Sequence, residues 1–203
     1  MKQFIISAAL AAAALVPALS HAAADDTPSS ISVHPAFGFM GTFGGDKLAG
    51  VQYTDGKTAA VTAGGIVYLY GGVQLRSADL PVSLLATVGY HKGIAGGDNG
   101  DFTFERVPLE LLAMVDVIPG KLRLGGGVRH DTNVNLSAHG VVQGSALKFE
   151  DATGGVIQAE WMLGNSFSIV GRYVAIKYRY NADGGVQYRA NANQGGIGVN
   201  WYL

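Results

Sequence analysis

From residue 31 onward, apolar and polar positions alternate with a period of two in eight successive segments. That spacing gives a β-strand one greasy side and one polar side. The first segment, residues 31–43, sets Ile31, Val33, Phe37, Phe39 and Phe43 against Ser32, His34, Ala36, Gly38, Met40 and Thr42. The second, residues 58–75, places Val61, Ala63, Val67, Leu69, Val73 and Leu75 together, although Ile66, Tyr68 and Tyr70 could equally form its apolar side. Residues 82–92 align Val82, Leu84, Ala86, Val88 and Tyr90, and residues 102–115 align Val107, Leu109, Leu111, Ala113 and Val115 opposite Arg106, Pro108 and Glu110. Leu122, Leu124 and Val128 then oppose Arg123, Gly125, Gly127 and Arg129 in a fifth segment. Residues 150–163 and 166–180 follow, with Ile157, Ala159, Trp161 and Leu163 in one and Phe167, Ile169, Tyr173 and Ala175 in the other. The last segment, residues 194–203, places Ile197, Val199, Trp201 and Leu203 on one face and Gly196, Gly198, Asn200 and Tyr202 on the other.

The connections alternate in length. Those centred on Asp79, Pro119 and Asn165 are short, while those near Lys47, Gly97, His139 and Gly184 are longer and rich in Gly, Asn and Asp. Composition reads residues 44–57, 93–101 and 130–149 as loops, the last being the longest irregular stretch, and a further loop opens at residues 181–185. Pro108 falls inside a strand, where its missing N–H predicts a bulge.

Residues 1–22 read as a cleaved signal peptide: a basic Lys2, an apolar run from Phe4 to Val16, Pro17 and small residues before cleavage near Ala22, or as late as Ala24. A polar leader, residues 23–30, precedes a single barrel domain at residues 31–203. No apolar run after the leader approaches the roughly 20 residues of a membrane-spanning helix, so a membrane crossing would have to be made by strands. In lipid, strands must close on themselves to satisfy every backbone group. The expected fold is therefore all-β, a single eight-stranded antiparallel up-and-down transmembrane β-barrel with short turns on the periplasmic side and longer loops outside.

Composition sharpens this picture. Only 14% of the 203 residues are charged and 30 are glycine, while mean hydropathy is +0.23. Loss of the leader peptide leaves 13 basic against 15 acidic side chains, and nothing in that balance recruits nucleic acid. There is no cysteine, hence no disulfide framework, thiol nucleophile or Cys-based zinc site.

Alternation alone also permits a secreted lipocalin-like barrel with its apolar face inward. Such a barrel would present its polar face to water and crowd it with Lys, Glu and Asp. Here that face is mostly Gly, Ala, Ser and Thr with isolated ions, which suits a narrow interior. The inward charges on this reading are Arg106, Glu110, Arg123, Arg129, Glu160 and Arg172. Glu110 and Glu160 are the expected hubs, with an excess of positive charge left to polar neighbours. An interior of eight strands is barely wide enough for its own side chains, so a closing plug is favoured over an open pore. Aromatic girdles are expected from Phe43, Tyr90, Phe102, Phe104 and Tyr178 at the outer ends and from Trp161, Phe167 and Trp201 at the periplasmic ends.

The terminal alternation of Ile197, Val199, Trp201 and Leu203 resembles the C-terminal signal of outer-membrane β-barrel proteins, except that Leu203 stands where that family usually ends in Phe. With the strand layout, it makes the chain resemble the small Gram-negative barrels grouped around the OmpA transmembrane domain, OmpX and OmpW. The resemblance implies export through the periplasm, recognition by the barrel-assembly machinery, contact with outer-membrane lipids and no enzymatic role or cofactor by default.

Histidines offer the best candidates for chemistry. His91, His130 and His139 are placed at or in the outer loops, and His130 with Asp131, Ser137 and His139 contains the residue types of a Ser/His/Asp hydrolase without its spacing. No His pair at i, i+2 has a third ligand in view, so no metal site is assigned. Three functions remain: a structural or surface-interaction barrel whose outer loops bind an unidentified ligand, a narrow conduit for small apolar molecules, and a lipid A-modifying hydrolase or acyltransferase.

Overall fold

The computed structural model describes residues 31–52, 58–97, 100–140, 147–181 and 187–203. The signal-peptide and leader assignments lie outside the described residues. Among them there are thirteen strands and no helix. The first, β1 (Ile31–Gly44), is followed by a short pair, β2 (Lys47–Gln52) and β3 (Thr58–Thr62), and then by four long strands. These are β4 (Val67–Ser77), β5 (Val82–Gly97), β6 (Gly100–Ile118) and β7 (Leu122–Gly140). A two-residue strand β8 (Leu147–Lys148) precedes β9 (Ala152–Met162) and β10 (Phe167–Ala175). A second short pair, β11 (Lys177–Asn181) and β12 (Gln187–Asn191), leads into the terminal β13 (Gln194–Tyr202).

All pairings are antiparallel. The main sheet runs β6-β5-β4-β1-β13-β10-β9-β7-β8, and β6 pairs with β7 as well. The last strand thus lies between the first and β10, with Phe37, Trp201 and Phe167 in one cross-strand row. The backbone N–H of Leu203 donates to the Pro35 carbonyl at 3.0 Å.

Burial follows the alternation over the middle of each long strand. In β10 every second residue from Ser168 to Val174 is buried and those between are exposed. Arg123, Glu160 and Arg172 lie on the buried face, whereas Ile157, Ile169 and Ile197 are exposed. This is the reverse of a lipocalin-like carrier.

The loop expectations are corrected. Residues 47–52 and 58–62 form the β2–β3 ladder, β5 and β6 stay paired as far as Gly97 and Gly100, and β7 runs through His130 to Gly140. The segment expected at residues 166–180 is divided into β10 and β11, and β11 pairs with β12. Polar and turn-forming residues make these stretches read as loop by composition, and a register shift in β7 separates the alternation ending at Asp131 from the one resuming at Val134 and Leu136.

The segment at residues 58–75 is two strands rather than one. Val61 and Ala63 are buried, yet Val67 and Leu69 are exposed and Tyr68 and Tyr70 buried, so the facing inverts across the turn at residues 63–66. Gly65 sits in that turn with φ +72°, a conformation that L side chains rarely adopt.

Pro108 does leave a gap in the β5–β6 ladder, which skips from Val88↔Leu109 to His91↔Arg106. The register shift lies on its other side, where β6 advances from Glu105 to Val107 while β7 advances from Asn135 to Thr132. Within this bulge Asn133 has φ 53°. The extra residue changes the buried set from Arg129 and Asp131 to Val134 and Leu136. The girdle is corrected at two positions as well: Phe104 and Tyr178 are fully buried, their rings 5.8 Å apart, while Phe43, Trp161, Phe167 and Trp201 are exposed.

Candidate functional site

The middle of the buried face carries a continuous array of charged and polar side chains. It begins near the short connections, where Arg76 and Arg123 both contact Asp116, the latter with its Nε 2.9 Å from Oδ1. Asp116 and Arg123 are direct cross-strand partners, as are Arg123 and Glu160. The contact of Arg123 with Glu160 is looser, at 3.9 Å. Glu160 is held by three neutral donors: Asn200 Nδ2 and Tyr202 Oη, each at 2.8 Å, and Gln158 Nε2.

Gln158 passes the array onward by accepting from Arg172 Nε at 2.6 Å. Arg172 Nη1 donates to Glu110 Oε2 at 2.8 Å, and Arg129 Nη1 reaches the other oxygen of Glu110 at 3.3 Å. Thr87 adds a hydroxyl to Glu110. Arg129 also makes a two-pronged contact with Asp131, two residues along the same strand, at 2.7 and 3.2 Å. Asp131 in turn accepts from the Tyr178 hydroxyl and lies 3.4 Å from Arg106 Nε. Arg106 Nη2 ends the line on Gln194 Oε1 at 2.8 Å and on the Gly64 carbonyl at 3.1 Å.

All six charged residues named from the pattern, Arg106, Glu110, Arg123, Arg129, Glu160 and Arg172, are therefore on the buried face and linked through one array. The expected excess of positive charge is reduced but not removed: Asp131 and Asp116 supply two further carboxylates while Arg76 adds a fifth guanidinium at the part-exposed end, so five arginines meet four acids. An unpaired buried ion costs several kcal/mol, and each of these arginines reaches at least one carboxylate, which removes much of that penalty. Aromatic faces cover what remains: the guanidinium carbons of Arg106 and Arg172 lie 5.0 Å from the Phe104 ring and 4.9 Å from the Tyr70 ring.

Tyr70 reaches this layer because residue 38 is glycine. A Cβ there would stand 2.1 Å from the tyrosine ring. The Tyr70 hydroxyl then donates to Asn200.

Asp131 is legible in retrospect as the residue two after Arg129 on a strand that did not stop at His130. His91 lies on the polar face of the segment at residues 82–92, next to the predicted loop. It is buried, with Nδ1 3.0 Å from Arg129 Nη2 and Nε2 2.8 Å from Thr42 Oγ1. His130 is exposed on the opposite face of β7 from Asp131 and meets Thr153 at 2.9 Å. Past the bulge, His139 lies 3.8 Å from Asp101. The hydrolase residues are thus distributed: Asp131 is committed to Arg129, Arg106 and Tyr178, and His130 faces away from it. Among the described residues, no group of three or more His, Asp or Glu side chains could hold a metal. Of the terminal residues, Ile197, Trp201 and Leu203 are exposed and Val199 half-buried.

No protein-family model matches the chain, and no curated protein matches it. Among solved structures it is similar to Neisserial surface protein A (NspA), at 10% identity over 86% of this chain and 97% of that one, with a TM-score of 0.45. It is similar also to the outer membrane protein OprG of Pseudomonas aeruginosa, at 17% identity over 84% and 95% of the two chains, with a TM-score of 0.41. A third likeness is to in-vitro folded OmpT, an outer membrane protein of Vibrio cholerae, at 16% identity over 87% of this chain and 53% of that one, with a TM-score of 0.30.

Proposed function

We propose that the chain is an integral outer-membrane protein, an eight-stranded barrel whose polar interior is closed by its own ion pairs and whose role is structural or surface-interacting. The observation that carries this reading is the inverted burial: Phe39, Leu111, Ile169 and Ile197 are exposed while Arg106, Arg129 and Glu160 have no accessible surface at all. In water that arrangement would expose a large continuous apolar surface, which soluble monomers rarely tolerate. In a bilayer it places the apolar face against hydrocarbon.

Eight strands, β1, β4, β5, β6, β7, β9, β10 and β13, each have two partners in the ladder, which supports closure without an edge. The exposed row of Phe37, Trp201 and Phe167 beside the short connections fits an interfacial girdle on the periplasmic side. On this reading the terminal residues Ile197, Val199, Trp201 and Leu203 serve the barrel-assembly machinery during biogenesis. The charged array crosses the interior where an apolar conduit would need a greasy one, so the closed barrel is preferred.

Expressed from its full gene, the protein should fractionate with outer membranes and show a different electrophoretic mobility before and after boiling. In planar bilayers it should give no steady conductance, and channels should appear when Glu110 and Arg172 are both replaced by alanine. Recovery in the soluble periplasmic fraction would sink the proposal.

A further inference from the structure

Two depressions meet on the exposed side of the sheet, one apolar and one basic. The apolar groove, about 400 Å³, is floored by Gly71, Gly72 and Ala86 and walled by Leu109, Leu111 and Val128. It exists because Gly71 and Ala86 carry at most a methyl group on a face that elsewhere carries leucine and valine, with the backbone of Gly72 between them. His130 also lines it.

The His130 ring is hydrogen-bonded to Thr153, and Thr153 lines the second depression, about 380 Å³, together with Lys177, Arg179 and Arg189. Leu109, His130 and Thr153 are successive cross-strand partners, so the two depressions adjoin across adjacent strands.

The basic end has an electrostatic problem of its own. Arg179 and Arg189 are direct cross-strand partners in the β11–β12 ladder, and like charges so placed repel. Lys177 is two residues from Arg179 on the same face. Among the described residues none of the three makes an ion pair. Glu150, whose backbone N–H donates to the Arg179 carbonyl, has its carboxylate engaged by Asn181.

We infer that these adjoining depressions form a binding site for a phosphate-bearing membrane lipid, with the phosphate bridging Arg179 and Arg189 beside Lys177 and an acyl chain lying in the groove floored by Gly71, Gly72 and Ala86. A phosphate accepts two parallel hydrogen bonds from each guanidinium and relieves their repulsion. The groove supplies what a free anion does not need, an apolar trough open to the hydrocarbon. The inference rests on the membrane reading above and gives the long-connection end a ligand class.

The test uses the full-length protein folded in detergent micelles, with native mass spectrometry and titration of three probes: dioleoyl phosphatidic acid, dioleoylglycerol and inorganic phosphate. Phosphatidic acid should be retained and dioleoylglycerol not. Arg179→Gln with Arg189→Gln should weaken phosphatidic acid binding by about ten-fold or more. Ala86→Trp, which fills the groove, should weaken the lipid while leaving inorganic phosphate unaffected. All variants should keep the mobility shift on boiling, which monitors the barrel separately. Equal retention of the two lipids overturns the inference, as does displacement of phosphatidic acid by an equal concentration of inorganic phosphate, which would mark a free-anion site. Loss of the mobility shift in the unmodified protein would instead strike the barrel reading.

Discussion

Toward the short connections and the middle of the molecule, buried side chains are charged or polar and face one another in register across neighbouring strands. Glu110 opposes Arg129, Asp116 opposes Arg123, and Arg123 opposes Glu160. Toward the long connections the buried groups are apolar and come from elements that are not neighbours: Phe104 of β6, Phe149 beyond β8 and Tyr178 of β11, with ring centroids 5.8 to 6.2 Å apart. The first region demands a register, because a slip of one residue turns every charge to the wrong face. The second tolerates the bulge at Asn133 and the inverted facing between β3 and β4, because apolar burial is non-directional and asks only that volume be filled. In the charged region the register shift between Asp116 and Ile118 falls at the hairpin end, beyond the last paired charges.

The sharpest way to break this contrast is Glu110→Ala. It leaves Arg129 and Arg172 buried without their shared carboxylate and should cost about 3–5 kcal/mol, read from the urea midpoint of the folded species on gels. Tyr178→Phe probes the seam, since its ring belongs to the apolar cluster and its hydroxyl donates to Asp131. Keeping the ring while removing the donor should cost about 1–3 kcal/mol by the same measurement, and a negligible loss would detach the two regions energetically. Smallest is the bulge itself: Asn133→Ala should destabilise by about 1 kcal/mol because of its positive φ, whereas Asn133→Gly should be nearly neutral. If the two behaved alike, the bulge would not hold this conformation.

Legibility in the sequence divides along the same line. Arg106, Glu110, Arg123, Arg129, Glu160 and Arg172 can be placed on one face from their spacing, because the strands that carry them alternate without interruption. Asp131 reads as an outer-loop residue because polar composition marks loops only on average, and because the bulge at Asn133 breaks the period between Asp131 and the alternation that resumes at Val134 and Leu136. Phe104 and Tyr178 read as girdle residues because an aromatic near a strand end fits either side of a wall. Their facing depended on the turns and bulges between them and the regular core.

What the sequence by itself determined is the set of apolar faces and the scarcity of charge on the other side, since period-two alternation is a local property of the chain and needs no partner to be read. Only the tertiary structure decided which carboxylate meets which arginine and that Asp116 and Asp131 join the array. It also decided that the terminal strand lies between the first strand and β10, because these pairings join strands whose partnership no local pattern records.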